Sequence, residues 1–457
     1  MNLEIFRPLI NILPEVQVPE VKPALKKRII WTVFALLVFT ILGLIMPVGM
    51  AAVQQSEYLE SLQLITASKI GTLATLGIGP IVMASIILQL LTGAKLLNFD
   101  LKDPNQKKLF QGVQKLLAIF FCLFEAIIYV MTGFMPAAPG IANFILLIAQ
   151  LAIASVLIMY LDELVSKYGI GSGVGLFIAA GVSFSIVWRA FSWVPSSGKF
   201  IGLVPNLMQG IFSGSIDEMA IFPLIFTVIV FLLVVYAESI KIEIPLTFGK
   251  IRGFGARYPL KFFYVSNIPV IFAAALFSNI EIMGMAMSNA GIPLLGSFVS
   301  NQPVSGIAYY LKAPYGALGS PTQIGITLGS FDLILRIIIY TAVLMIFCVM
   351  FGKFWVGLSN MDSKSVAGQL QNVGLHVPGF RRDPRVVEMV LDRYIPVITV
   401  LGAMAVGAIA VLADLTGALG TGTGILLTVG IIYKMYEELA AEQAFEMMPG
   451  LKNIMGG

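Results

Sequence analysis

Residues 29–46 carry no charged side chain, and runs of that kind recur along the chain. An α-helix needs about 20 apolar residues to cross the hydrocarbon of a bilayer. Inside lipid every backbone N–H and C=O must be paired within the segment itself, so each long apolar run reads as a helix. Ten runs qualify: 29–46, 72–92, 115–133, 141–161, 171–190, 219–239, 263–281, 332–351, 394–413 and 423–440. Composition agrees, with 58% apolar and 12% charged residues, about half the charged share of a soluble domain. The first run is the cleanest. The second is crowded in its early part by Gly71, Gly77, Gly79 and Pro80, helix breakers that predict a half-helix followed by a bent helix.

Basic residues set the orientation. With a cytoplasmic N-terminus, the cytoplasmic side receives Lys22, Lys26, Lys27 and Arg28, then Lys95, Lys102, Lys107 and Lys108, then Lys250, Arg252 and Arg257, and then Arg381, Arg382, Arg385 and Arg393. The opposite loops hold little beyond Lys69, Lys199 and Lys312. Both termini are therefore expected in the cytoplasm. No cleavable signal peptide is expected, because the first 28 residues mix prolines with charges. Cys122 and Cys348 lie within apolar runs, where cysteine acts as a small apolar residue; neither a disulfide framework nor a metal site is expected. Five helices on either side of the 191–218 loop are compatible with two inverted halves, divided as 1–200 and 201–457. Two cytoplasmic loops stand out: 241–262, short, basic and Gly-rich, and 353–393, which ends in GFRRDPR. The external stretch 282–331 is nearly uncharged and rich in turn pairs.

Signals for catalysis are sparse. The single histidine, His376, has no second ligand at metal spacing. No P-loop pattern occurs. The tracts GIGSGVG (169–175) and GALGTGTG (417–424) lack a strand–turn–helix setting and open apolar helices instead, where small residues serve close packing or line a narrow passage. Asp332 and Arg336 are spaced to pair on one helix face. Glu125 is a lone carboxylate in mid-span, expected to face protein or a watery cavity. Asn279 suits a hydrogen bond between helices. The convergent ionisable groups of an ion-coupled transporter are missing. What repeats is an aliphatic residue beside glycines: Ile78 and Val82, Ile170 and Val174, Ile271, and Leu427.

LITASKIGTLATLGIGPIVMASIILQLL, LDELVSKYGIGSGVGLFIAAG, ARYPLKFFYVSNIPVIFAAALF, SGIAYYLKAPYG and GALGTGTGILLTVGIIYKMYE together resemble the SecY family of protein translocation channels, in its archaeal form. The likeness spans nearly the whole chain in order. It implies an all-α polytopic membrane protein, with about ten helices in two halves hinged like a clamshell around an hourglass pore. It also implies a ring of aliphatic side chains at Ile78, Val82, Ile170, Val174, Ile271 and Leu427. The plug it implies is the half-helix at about 60–70, with Glu60, Thr66, Lys69 and Ile70, hinged near Gly71. A lateral gate falls between the second and third helices on one side and the seventh and eighth on the other, marked by Glu125 and Asn279. Met83 stands at a gate position where some relatives carry a small polar residue. Ribosome-contacting residues fall on Lys250, Arg252, Arg257, Arg381 and Arg382. The implied partners are small single-span SecE-type and beta/SecG-type subunits, the ribosome, signal peptides, nascent polypeptides and lipid. No cofactor and no enzymatic activity are implied, and the implied location is the cell membrane.

This composition suits the task. A hydrophobic constriction passes varied side chains and holds back ions by dewetting. Clustered Lys and Arg on loops suit polyanionic ribosomal RNA. Two rival readings make different demands. A secondary transporter for a small solute would depend on Glu125 or Arg336, and a membrane-embedded enzyme would need paired catalytic groups.

Overall fold

The computed structural model describes residues 7–21, 23–51, 71–93, 96–97, 103–196, 199–214, 218–248, 255–265, 267–299, 302–372, 375–376 and 384–447. The first helices are α1 (Arg7–Ile12), α2 (Leu25–Leu42), α3 (Gly79–Gly93), α4 (Pro104–Met131), α5 (Ile141–Tyr168) and α6 (Gly173–Phe191). They are followed by α7 (Leu203–Ser213), α8 (Glu218–Ser239), α9 (Ile268–Asn289), α10 (Gly306–Leu311) and α11 (Pro321–Gly329). The chain closes with α12 (Phe331–Leu358), α13 (Ser363–Asn372), α14 (Pro384–Leu415) and α15 (Gly422–Met447). Each of the ten apolar runs yields one long helix: α2 to α6, α8, α9, α12, α14 and α15.

Among the described residues, seven helices are long and apolar enough to cross a membrane by length and composition. The other three differ for local reasons. Lys26, Lys27 and Arg28 open α2, α3 has only 15 residues, and α15 carries Lys434, Glu437 and Glu438.

Helix ends follow caps rather than hydropathy. The first run shifts to 25–42, because Lys26, Lys27 and Arg28 continue the helix at its start while residues 43–44 turn. In the second run the helix begins only at Gly79. Gly71 and Gly77 take left-handed φ of 89° and 53°, a conformation that glycine adopts without steric cost, so 71–78 turns instead of spiralling. The α4 helix starts well before its apolar run, at Pro104. Asp103 caps it, its carboxylate accepting from Asn105 N at 3.0 Å. In α9 the run 263–281 becomes 268–289, and in α14 the run 394–413 lengthens to 384–415.

The 241–262 segment is not a simple loop. Strands β1 (Lys241–Phe248) and β2 (Gly255–Lys261) pair antiparallel, and β3 (Leu375–His376) adds to β1 from the second basic loop. Ile244, Leu246 and Leu260 point from this sheet into an apolar cluster with Val366, Ala367, Val387 and Leu391. The stretch 282–331 also holds structure: the end of α9, then α10 and α11.

Within the first five long helices, α2 packs on α5, and α4 on both α3 and α5. Within the last five, α12 packs on α9 and α14, and α15 on α8 and α14. Two seams join these groups. One is α6 against α15; in the other, α3 packs on α9 and α12, and α4 also touches α9. A single large buried cluster runs through both groups, from Ala35 in α2 to Val429 in α15.

Candidate functional site

Between the two groups lies a cavity of about 720 Å³. Its walls mix polar and apolar groups: Ser85, Gln89 and Gln114 on one side and Asn267, Asn360 and Lys434 on the other, interspersed with Phe110, Phe272, Trp355 and Met435. Arg28, Lys107 and Glu438 also border it. Val82, Val174 and Ile271 are among its apolar lining residues.

Of the six aliphatic residues singled out in the sequence, Ile78, Val82 and Leu427 sit inside the main buried cluster, 0%, 5% and 2% exposed. Val174 and Ile271 pack against that cluster. Ile170 is 4% exposed, on the turn before α6. Four of the six are buried, and Val174 and Ile271 are half-buried; fully burying an aliphatic side chain contributes about 1.5–3 kcal/mol, which favours keeping them out of water.

Each of these residues is presented by an anchored piece of backbone. Ile78 stands at the end of the 71–78 turns, where Thr72 N donates to Thr75 Oγ1 at 3.2 Å and Thr75 Oγ1 donates to Met135 Sδ at 3.7 Å. The turn carrying Ile170 is held from α2: Arg28 Nε donates to Gly169 O at 2.8 Å, and Ile170 N donates to Thr32 Oγ1 at 3.0 Å. Asn267, just before α9, reaches across to α15 and donates from Nδ2 to Leu426 O at 2.9 Å. It thereby links the helix of Ile271 to the helix of Leu427. Sequence reasoning missed Asn267, a single amide two residues before Pro269.

Glu125 and Asn279 are buried, and Met83 is half-buried against the main cluster. Asn279 does not bond between helices as expected. Its Nδ2 donates to Ala275 O in its own helix at 2.9 Å, the usual back-bond of a polar side chain to the preceding turn. Glu125 Oε1 has no hydrogen-bond partner among the described residues. Above them, Ile282 and Met285 of α9 pack with Ala126, Tyr129, Val130, Phe134 and Met135, and Asn289 Nδ2 donates to Thr132 O at 3.1 Å.

Asp332 and Arg336 do not pair with each other. Both engage Tyr309, whose hydroxyl donates to Asp332 Oδ2 at 2.5 Å and whose ring lies 4.5 Å from the Arg336 guanidinium. Arg257 is exposed on β2 and pairs with Glu243 of β1 at 2.8 Å. That contact, with help from Lys241, holds the Glu243 carboxyl below the usual glutamate range. Glu60, Thr66, Lys69, Ile70, Lys250, Arg252, Arg381 and Arg382 lie outside the described residues.

The sequence model of the SecY family matches residues 72–436. The protein translocase subunit SecY of Methanococcus vannielii is 44% identical over 457 residues, covering 99% of both chains. That of Methanocaldococcus jannaschii is 44% identical over 451 residues, covering 98% of each. The chain belongs to the SecY family. Its backbone agrees with this membership. A solved protein-conducting channel superimposes with a TM-score of 0.84 at 44% identity, over 97% of this chain and 98% of that one. Sec61 in a canine ribosome–channel complex from the endoplasmic reticulum gives 0.82, also at 44%, over 97% and 98%. The buried aliphatic cluster and the cavity described above are thus features of a SecY-family fold.

Proposed function

We infer that this chain is the central pore-forming subunit of a protein translocation channel. It passes secretory proteins across the membrane and releases transmembrane segments sideways into lipid. One observation carries the reading: aliphatic residues from both five-helix groups, Val82, Val174 and Ile271, meet at a cavity that lies between those groups. A passage lined by small polar and aliphatic groups binds no particular side chain. It admits an extended peptide and excludes hydrated ions, since water leaves a narrow apolar neck. No step in this cycle is enzymatic, and the driving force comes from a partner.

In this reading Ile78, Val82, Ile170, Val174, Ile271 and Leu427 form the pore ring, and segment 60–70 is the plug. Residues 1–200 and 201–457 are two halves that part along α3 and α4 against α9 and α12. Glu125, Asn279 and Met83 line that lateral gate. The close packing of α9 on α3 and α4 supports the assignment. The β1–β2 hairpin and the 353–393 loop face the cytoplasm with both termini, and meet the ribosome through Lys250, Arg252, Arg257, Arg381 and Arg382. Small SecE-type and beta/SecG-type subunits complete the assembly.

A photoreactive residue at Ile170 or Leu427 tests this. A stalled nascent chain is expected to crosslink there. Labelling of lipid alone, with no nascent-chain adduct at either position, rules the conduit out. A secondary transporter would instead take up a small solute and lose that uptake in Glu125→Gln.

A further inference from the structure

The two glycine tracts open their helices by one device, used twice. In GSGVG (171–175), Ser172 caps α6 and its Oγ accepts from Gly175 N at 3.2 Å. In GTGTG (420–424), Thr421 stands before α15 and its Oγ1 accepts from Gly424 N at 3.3 Å. Gly173 and Gly422 are the first residues of their helices. Thr421 has φ of 61°, a strained value for a β-branched residue, so its surroundings must hold it there.

Behind each first turn stands an aspartate from the preceding helix. Asp162 of α5 accepts from Val174 N through Oδ1 at 2.7 Å. Asp414, near the end of α14, accepts from Gly422 N through Oδ1 at 2.7 Å, and from the Tyr340 hydroxyl through Oδ2 at 3.0 Å. Short charge-assisted bonds to the exposed amides of a helix start are among the stronger hydrogen bonds a protein makes. The glycines are what let the carboxylates in. A Cβ on Gly173 would meet Asp162 Cα at 2.5 Å, and one on Gly422 would meet Ala410 O at 2.0 Å.

The tracts also face each other's helices in a matched way. Gly171 lies against Met435 and Gly175 against Ile431; with GSGVG laid over GTGTG, Gly420 lies against Ile186 and Gly424 against Val182. The α6–α15 seam is therefore built of two equivalent contacts running in opposite directions. Each capped turn sits at one end of it. Ile170 and Val174 belong to one capped turn, and Leu427 lies one to two turns into the helix that the other begins.

We propose that Asp162 and Asp414 are positioning residues for the constriction, one for each side of the ring. The proposal rests on the pore-ring reading above. Neither carboxylate touches the polypeptide in transit. Each fixes the helix start from which its ring residues project, and Asp414 also holds Thr421 in its left-handed turn. Without the carboxylate the first turn unwinds, and Val174 or Leu427 shifts while every pore-facing side chain stays the same.

The test uses the assembled channel in vesicles, with Asp162→Ala, Asp414→Ala and the matching Asp→Asn variants. Ile78→Asp serves as the ring control. Two quantities are read: resting ion conductance per channel, and export of a substrate with a weakened signal peptide. The alanine variants are expected to raise resting conductance about tenfold, the effect on an equilibrium of losing one buried charge-assisted bond, and to export the weakened substrate. The asparagine variants keep an acceptor oxygen and recover most of the seal. Wild-type conductance in both alanine variants, with a leaking Ile78→Asp, overturns the proposal and spares the ring. A tight Ile78→Asp channel overturns the ring itself. A purely structural role lowers yield for both substitutions without raising conductance per channel, and also overturns it. Should the alanine variants fail to assemble, Tyr340→Phe and Ser172→Ala carry the test, since each removes one supporting hydrogen bond; wild-type conductance in both then refutes it.

Discussion

Gly430→Ala is a sharp test of how the α9–α15 junction is built. A Cβ at position 430 would fall 1.9 Å from Asn267 Nδ2 and 2.8 Å from Glu238 Oε1. Ordinary contact therefore requires the Asn267 amide to retreat by well over an ångström. Its bond to Leu426 O is 2.9 Å long, so a shift of that size breaks it. The buried Asn267 amide is left without its acceptor at about 1–3 kcal/mol, and crowding adds about 1–3 kcal/mol. Against this, alanine gains about 1 kcal/mol of helix propensity over glycine. The net expectation is about 1–5 kcal/mol of destabilisation, read as the unfolding free energy in mixed micelles. Asn267→Ala clears the space, so Gly430→Ala on that background should cost less than about 1 kcal/mol. Equal costs on both backgrounds would refute the reasoning, because the clash with Asn267 would then not be the cause.

Other expectations follow from neighbouring features. Thr32→Val removes the acceptor for Ile170 N; about 1–3 kcal/mol is lost at that turn, and resting conductance in vesicles should rise. Met285→Ala hollows the apolar contact between α9 and the ends of α4 and α5, costing about 2–5 kcal/mol; less hydrophobic segments should then exit into lipid in a membrane-integration assay. The hairpin pair Glu243–Arg257 predicts a pH effect. The folded carboxyl lies below its ordinary value, so the contribution is complete above the usual glutamate pKa and disappears as pH falls through the lowered folded value. Amide exchange in β1 and β2 should report a small loss of protection in that acidic window, absent in Glu243→Gln.

Ten helices were legible from apolar runs alone, because lipid forces each run to pair its own backbone. Their ends were not, since caps such as Asp103 and turns such as 71–78 decide them. That error had a cost for the site. The expected runs 141–161 and 394–413 each stop one residue short of an aspartate, so neither Asp162 nor Asp414 entered the candidate site, although α5 and α14 include them. The hairpin was visible but unread: KIEIPLTF alternates polar and apolar positions, and Ile244 and Leu246 of that series are buried. The ring residues were named through family likeness. Periodicity alone did not set Ile78 apart from any other buried isoleucine.

The two seams between the helix groups differ in texture. Along α6 and α15, glycines lie against the tips of Val182, Ile186, Ile431 and Met435, so little interlocking must be undone when one helix rolls on the other. Along α9, Ile282 and Met285 are wedged among Tyr129, Val130 and Phe134, and separation there must pull side chains out of sockets. If the two halves part as proposed, resistance is uneven around the passage: the α6–α15 edge is expected to turn and stay joined while the α9 edge unlatches.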